Sequence, residues 1–150
     1  MKNLICVLFI LFACLLKAQT VNPNFNQHLA DSLGADERGM KMYTFVILKT
    51  GPASTTNKAH VDSAFAGHMQ NIGVLVKDHK LIVAGPFGKN EKAYRGLFIL
   101  NVKDVKEAHK LLETDPAIKA KLLEAEIFQW YGSAALGQYL PFHDQLQKYK

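Results

Sequence analysis

The chain has 150 residues, of which 49% are hydrophobic and 21% charged, with a formal net charge of +5 and 2 cysteines. That length supports one compact core and is too short for two ordinary domains. No basic run or aromatic-basic alternation accompanies the positive charge, which argues against nucleic acid as a partner, and neither low complexity nor an internal repeat is present.

The chain opens on Met1-Lys2-Asn3 and stays apolar and uncharged from Leu4 to Leu16. A basic start followed by about 13 apolar residues is the pattern of an export signal. A bilayer-spanning helix needs roughly 20 apolar residues, so no membrane span is expected. Residues 1–18 are expected to be a signal peptide cut after Ala18, which places the mature protein in the periplasm or outside the cell. Leu11-Phe12-Ala13-Cys14 offers an alternative, lipidation of Cys14 and tethering to the envelope. Cleavage after Ala18 removes both Cys6 and Cys14, so thiol chemistry is excluded, and it lowers the formal charge by two with Lys2 and Lys17.

Residues 19–40 read as a leader, with Pro23 in a polar stretch and a weak helical pattern from Gln27 to Leu33 stopped by Gly34. The aromatic and β-branched run 42–48 predicts the first strand, ended by Gly51-Pro52. Apolar residues Val61, Phe65, Met69, Ile72, Leu75 and Val76 recur at helical spacing and predict a helix over 58–78, with His68 near the middle of the stripe. Two strands follow, 80–84 and 94–100, joined by a Gly/Pro-containing loop at 85–90 that reads as a hairpin connection. Asp104 and Glu107 stand at capping-box spacing before a second amphipathic helix. Asp115-Pro116 starts a short helix to about residue 123, and 125–131 predicts the last strand, ending at Gly132. The tail 133–150 has no clear period. Strand, helix, strand, strand, helix, strand is the split βαβ order of an α+β, ferredoxin-like fold (βαββαβ) over 41–132. Helices cover one sheet face, and pairing the other with a second copy would hide it, so a homodimer is expected.

Few residues are placed to do chemistry. His68 on a core-facing stripe is either an acid/base whose protonation a neighbour tunes or a core histidine bonded to the backbone. Asp115 either orients an imidazole or caps its helix. Gly85 and its loop can admit an anionic ligand or simply turn a hairpin, and Arg95 and Lys49 can meet a carboxylate or lie solvated at strand ends. Trp130 and Tyr131 fit the core better than a pocket lining. The histidines are scattered, with no metal-ligand spacing, and no Gly-x-Ser-x-Gly elbow occurs, so neither a metal site nor a serine acyl-enzyme is expected.

Taken together, Phe65-Ala66-Gly67-His68-Met69-Gln70-Asn71-Ile72, Leu81-Ile82-Val83-Ala84-Gly85-Pro86-Phe87, Arg95-Gly96-Leu97-Phe98-Ile99-Leu100, Asp115-Pro116-Ala117-Ile118 and Trp130-Tyr131-Gly132-Ser133 resemble the YciI-like (YCII-related) family in both motif order and spacing. The match covers roughly residues 42–131. The resemblance implies a dimeric α/β barrel of ferredoxin-like halves and a pocket where His68 meets Asp115; Gly85 and Arg95, from the reading of the residues themselves, are the ligand contacts expected there. No cofactor is expected, and the resemblance leaves the substrate open, since family members include enzymes acting on ring compounds, such as a dehydrochlorinase. The signal, the leader and the tail 133–150 depart from the compact family form. Two functions follow as expectations. One is a small enzyme using His68 and Asp115 for general acid/base chemistry on a cyclic or carbonyl-bearing molecule. The alternative is a non-catalytic dimer that binds a small ligand in the same pocket. A His68–Asp115 hydrogen bond in a concave pocket favours the first.

Overall fold

The computed structural model describes residues 22–148, apart from the side chain of Asp144. Residues 1–18, expected to be a signal peptide and holding Cys6 and Cys14, lie outside the described residues. The leader forms α1 (Gln27–Leu33), capped by the Asn26 side chain, which accepts from the Leu29 amide, and closed by Gly34 at φ 67°. None of its residues is buried. It is tied to the body where the Tyr131 hydroxyl donates to Asp36, whose other carboxylate oxygen accepts the amides of Arg38 and Met40.

The body runs β1 (Met40–Thr50), α2 (Lys58–Lys77), β2 (Leu81–Pro86), β3 (Tyr94–Leu100), α3 (Val105–Leu112), α4 (Pro116–Lys119) and β4 (Leu123–Ser133). A 3-10 turn (Ala134–Tyr139) and α5 (Leu140–Leu146) complete it. The four strands lie in the order β2-β3-β1-β4, and every neighbouring pair is antiparallel. α2 therefore carries the chain from β1 to β2 with β3 between them, the split βαβ arrangement. The α+β, ferredoxin-like expectation holds.

Alternation along the strands sorts the side chains between two faces. Val46 and Leu48 of β1, Phe98 and Leu100 of β3 and Leu123 of β4 bury themselves under α2, α3 and α4, where Leu75, Ala108, Leu112 and Ala117 meet them. Each fully buried aliphatic side chain contributes roughly 1.5–3 kcal/mol. Thr44 is the polar member of that face, its Oγ1 donating to the Val102 carbonyl at 2.9 Å. On the opposite face Tyr43, Ile82 and Ile99 form a smaller cluster with Phe45, Leu97 and Leu136.

Several expectations shift. β1 and β4 each extend beyond the predicted strands, to Met40–Thr50 and Leu123–Ser133, because their ladder is continuous from Met40–Ser133 to Thr50–Leu123. Gly85 and Pro86 belong to β2, not to the hairpin turn, and a proline is tolerated there because β2 is an edge strand. Asp104 caps α3 by accepting from Lys106, but Glu107 turns away from the capping box to pair with Lys80 at 2.8 Å. Trp130 and Tyr131 are not core residues. They are 37% and 40% exposed, Trp130 lying against Tyr43 on the open face and Tyr131 holding Asp36. The tail, aperiodic in sequence, folds back along β2, with the Tyr139 hydroxyl donating to the Ile82 carbonyl.

Candidate functional site

α4 is only one turn long, and Asp115 begins it. One carboxylate oxygen, Oδ1, accepts the amides of Ala117 at 2.9 Å and Ile118 at 3.3 Å, the N-cap expected of an Asp-Pro start. The other, Oδ2, lies 2.6 Å from His68 Nδ1. The cap and the histidine contact are thus served by different oxygens of one side chain, and both readings of Asp115 are true. Asp115 is 1% exposed and the His68 side chain 12%.

What lets the two meet is Gly67. A Cβ at that position would stand 2.7 Å from Pro116 Cγ and 3.1 Å from Pro116 Cβ, so the absence of a side chain is what allows α2 to press against α4. In the sequence Gly67 stands out only as a member of the run around His68. Its signal was nonetheless there, a glycine inside a helical pattern that costs about 1 kcal/mol against alanine and so asks for a packing reason.

The His68 ring is fixed on its other sides by aromatic neighbours. It stacks on Phe98 with centroids 5.8 Å apart and planes 19° from parallel, and meets the edge of Phe65 at 6.2 Å. With Nδ1–H donating to the Asp115 carboxylate, the neutral ring carries its lone pair on Nε2. Among the described residues Nε2 has no hydrogen-bond partner, and no unpartnered side-chain N or O atom is sealed from solvent. The ring instead lines a cavity of about 490 Å³, the size of a small-molecule site.

One wall of that cavity is α2, through Phe65, His68, Met69 and Ile72, and its floor is the sheet at Leu48, Gly96 and Phe98. Met69, placed by its spacing on the buried stripe, is 63% exposed because it faces this cavity. Gly85 and Arg95 line it with His68, whereas Asp115 is not on the lining and reaches the cavity only through its contact with His68. Arg95 arrives there through a bulge. Gly96 pairs with Leu48 and Tyr94 with Lys49, which leaves Arg95 as the extra residue in β3, and a bulge re-aims such a side chain. Gly96 is required in that strand, since a Cβ would lie 2.7 Å from the Gly85 carbonyl oxygen. Lys49 does not join the site. It pairs with Glu126 at 2.6 Å, and that hydrogen bond holds its ammonium above the usual lysine range. Among the described residues no three His, Cys, Asp or Glu side chains converge as metal ligands, and no helix is long and apolar enough to cross a membrane.

The site that the fold defines is therefore a carboxylate-oriented imidazole in an apolar cavity on an α+β sheet. No family model matches the chain, and no curated protein does. Among solved structures it is similar to a 5-chloro-2-hydroxyhydroquinone dehydrochlorinase from Burkholderia phenoliruptrix AC1100, solved in complex with 2,5-dihydroxybenzoquinone. The identity is 24% and the TM-score 0.42, over 58% of this chain and 92% of that one. The fold assignment rests on the strand order and register of this chain itself.

Proposed function

We propose that the protein is an exported, YciI-like enzyme in which His68 moves a proton on a small cyclic or carbonyl-bearing substrate. The observation that carries this is the 2.6 Å contact of His68 Nδ1 with a buried carboxylate, on a ring whose other face lines a cavity. In the resting pair Nε2 accepts a proton from a carbon next to a carbonyl, leaving an enolate. The imidazolium so formed keeps its Nδ1–H on Asp115, whose negative charge stabilises it. Return of that proton to another carbon completes an isomerisation, and departure of a leaving group from the enolate completes an elimination. Arg95, on the same lining, offers the cation that an enolate needs.

The test follows hydrogen–deuterium exchange by NMR in a panel of lactones and cyclic ketones, with and without a carboxylate substituent. Wild type should catalyse exchange, and His68→Gln should lose about 10²–10⁴-fold of it, the usual contribution of a general base. Exchange unaffected by His68→Gln, or none with any member of the panel, sinks the proposal. Ligand binding that survives without exchange would make the chain a binding protein instead.

The remaining parts of this reading are the dimer and export. The open sheet face keeps Phe128 49% and Trp130 37% exposed beside the half-buried Phe45 and Leu97, an apolar surface that a second copy would cover face to face. Sedimentation at micromolar concentration should give twice the chain mass, and a monomer refutes it. For export, mass spectrometry of the mature protein should place its first residue at Gln19; a lipidated Cys14 would select the tethered form.

A further inference from the structure

The cavity lining has an unbalanced charge. Arg95 is exposed on it, its guanidinium without a hydrogen bond or ion pair to any described residue, and two imidazoles, His68 and His143, share the lining. Among the described residues no carboxylate lines it. Asp115 sits behind His68, 1% exposed, with both oxygens occupied. Apart from Tyr139 and Gln147 the rest of the wall is apolar, including Phe65, Met69, Ile72 and Leu140.

His143 reaches the cavity only because of the chain beyond β4. The 3-10 turn and α5 run back along the β2 edge, anchored where Tyr139 donates to the Ile82 carbonyl, and this places Tyr139, Leu140, His143 and Gln147 on the cavity opposite α2. Gln147 Nε2 lies 3.2 Å from His143 Nε2. With the amide donating, the ring proton is held on Nδ1, where it is a donor for a ligand.

We propose that this C-terminal extension turns the cavity into an organic-anion site, with Arg95 and His143 clasping the acidic group of a ligand whose apolar body lies against α2. This deepens the reading of the same cavity given above and names its substrate class: a small carboxylate with a ring or branched hydrocarbon body. An unpaired guanidinium beside an apolar wall attracts an anion, and it matches a carboxylate with two parallel N–H bonds. A neutral ligand would leave that cation to solvent and gain nothing from it.

The experiment is calorimetric titration of the mature chain with benzoate and cyclohexanecarboxylate, against benzamide as the neutral counterpart. The acids should bind about tenfold more tightly than the amide. Arg95→Gln should remove most of that preference, and His143→Gln should reduce it about threefold to tenfold. Neither should move the thermal midpoint of the free protein, since both side chains are exposed. Equal binding of acid and amide overturns the proposal, as does no binding of either acid at millimolar concentration. An effect of Arg95→Gln without one of His143→Gln overturns the role of the extension. His68→Gln separates this inference from the catalytic one. Acid binding retained with no exchange in any variant defeats catalysis alone, whereas exchange without preference for acids defeats the anion site alone.

Discussion

Gly67→Ala pits two physical effects of opposite sign against each other. On helix propensity alone, alanine in the middle of α2 should stabilise the protein by about 1 kcal/mol. Its Cβ, however, would lie 2.7 Å from Pro116 Cγ and 3.1 Å from Pro116 Cβ, whereas carbon atoms rest at about 3.5–4.0 Å. A change of proline pucker relieves a few tenths of an ångström, and the remainder, roughly 0.5–1 Å, must come from α2 withdrawing from α4. The same withdrawal stretches the 2.6 Å contact between His68 and Asp115 to about 3.1–3.6 Å, at or beyond the limit of a hydrogen bond. Overpacking of this kind costs about 1–3 kcal/mol, so the net change is a destabilisation of roughly 0–2 kcal/mol. Urea unfolding measures the first quantity. The low-field proton resonance of an imidazole N–H held by a carboxylate reports the second, and it should weaken or vanish. A more stable Gly67→Ala that keeps this resonance would refute the idea that close approach at Gly67 sets the pair distance.

Asp115→Ala removes a charge-assisted hydrogen bond, worth about 1.5–3 kcal/mol, together with an N-cap worth about 1 kcal/mol, so unfolding should cost roughly 3 kcal/mol less. Asp115→Asn keeps the cap through Oδ1 but turns an amide toward Nδ1, so nitrogen NMR should find the His68 proton moved to Nε2; an unchanged tautomer contradicts the assignment. Thr44→Val conserves shape but strands the buried Val102 carbonyl, and a loss of about 1–3 kcal/mol is expected in chemical unfolding. The bond from Tyr131, more than any other influence, holds Asp36 below the usual carboxylate range. Its stabilising contribution is therefore complete above the ordinary carboxylate pKa and disappears as the pH falls through the lowered folded value. Tyr131→Phe should be less sensitive than wild type to acid in that window, and identical acid profiles would disprove the link.

Periodicity and punctuation carried much of the fold. The alternation of β1, the stripe of α2 and the Asp-Pro start of α4 are local patterns that tertiary packing did not overrule, and the order of elements narrowed the topology to the split βαβ. Strand ends were less accessible, because the length of β1 and β4 is set by their mutual ladder and not by either segment alone. Trp130 and Tyr131 were misplaced in the core for a related reason. A strand pattern tells which residues share a face, not whether a helix covers that face.

At the site, the sequence by itself determined the chemistry on offer: one histidine on a helical stripe, one carboxylate at the start of a helix and an arginine in a strand. Only the tertiary structure decided that they belong together. His68 and Asp115 are 47 residues apart, and the 2.6 Å between them depends on a glycine whose missing side chain matters only because Pro116 packs there. Arg95 enters the cavity through a bulge fixed by its partner strand, and His143 enters because the tail follows the edge of β2. Contacts of that kind arise from elements distant in sequence, which no local pattern records.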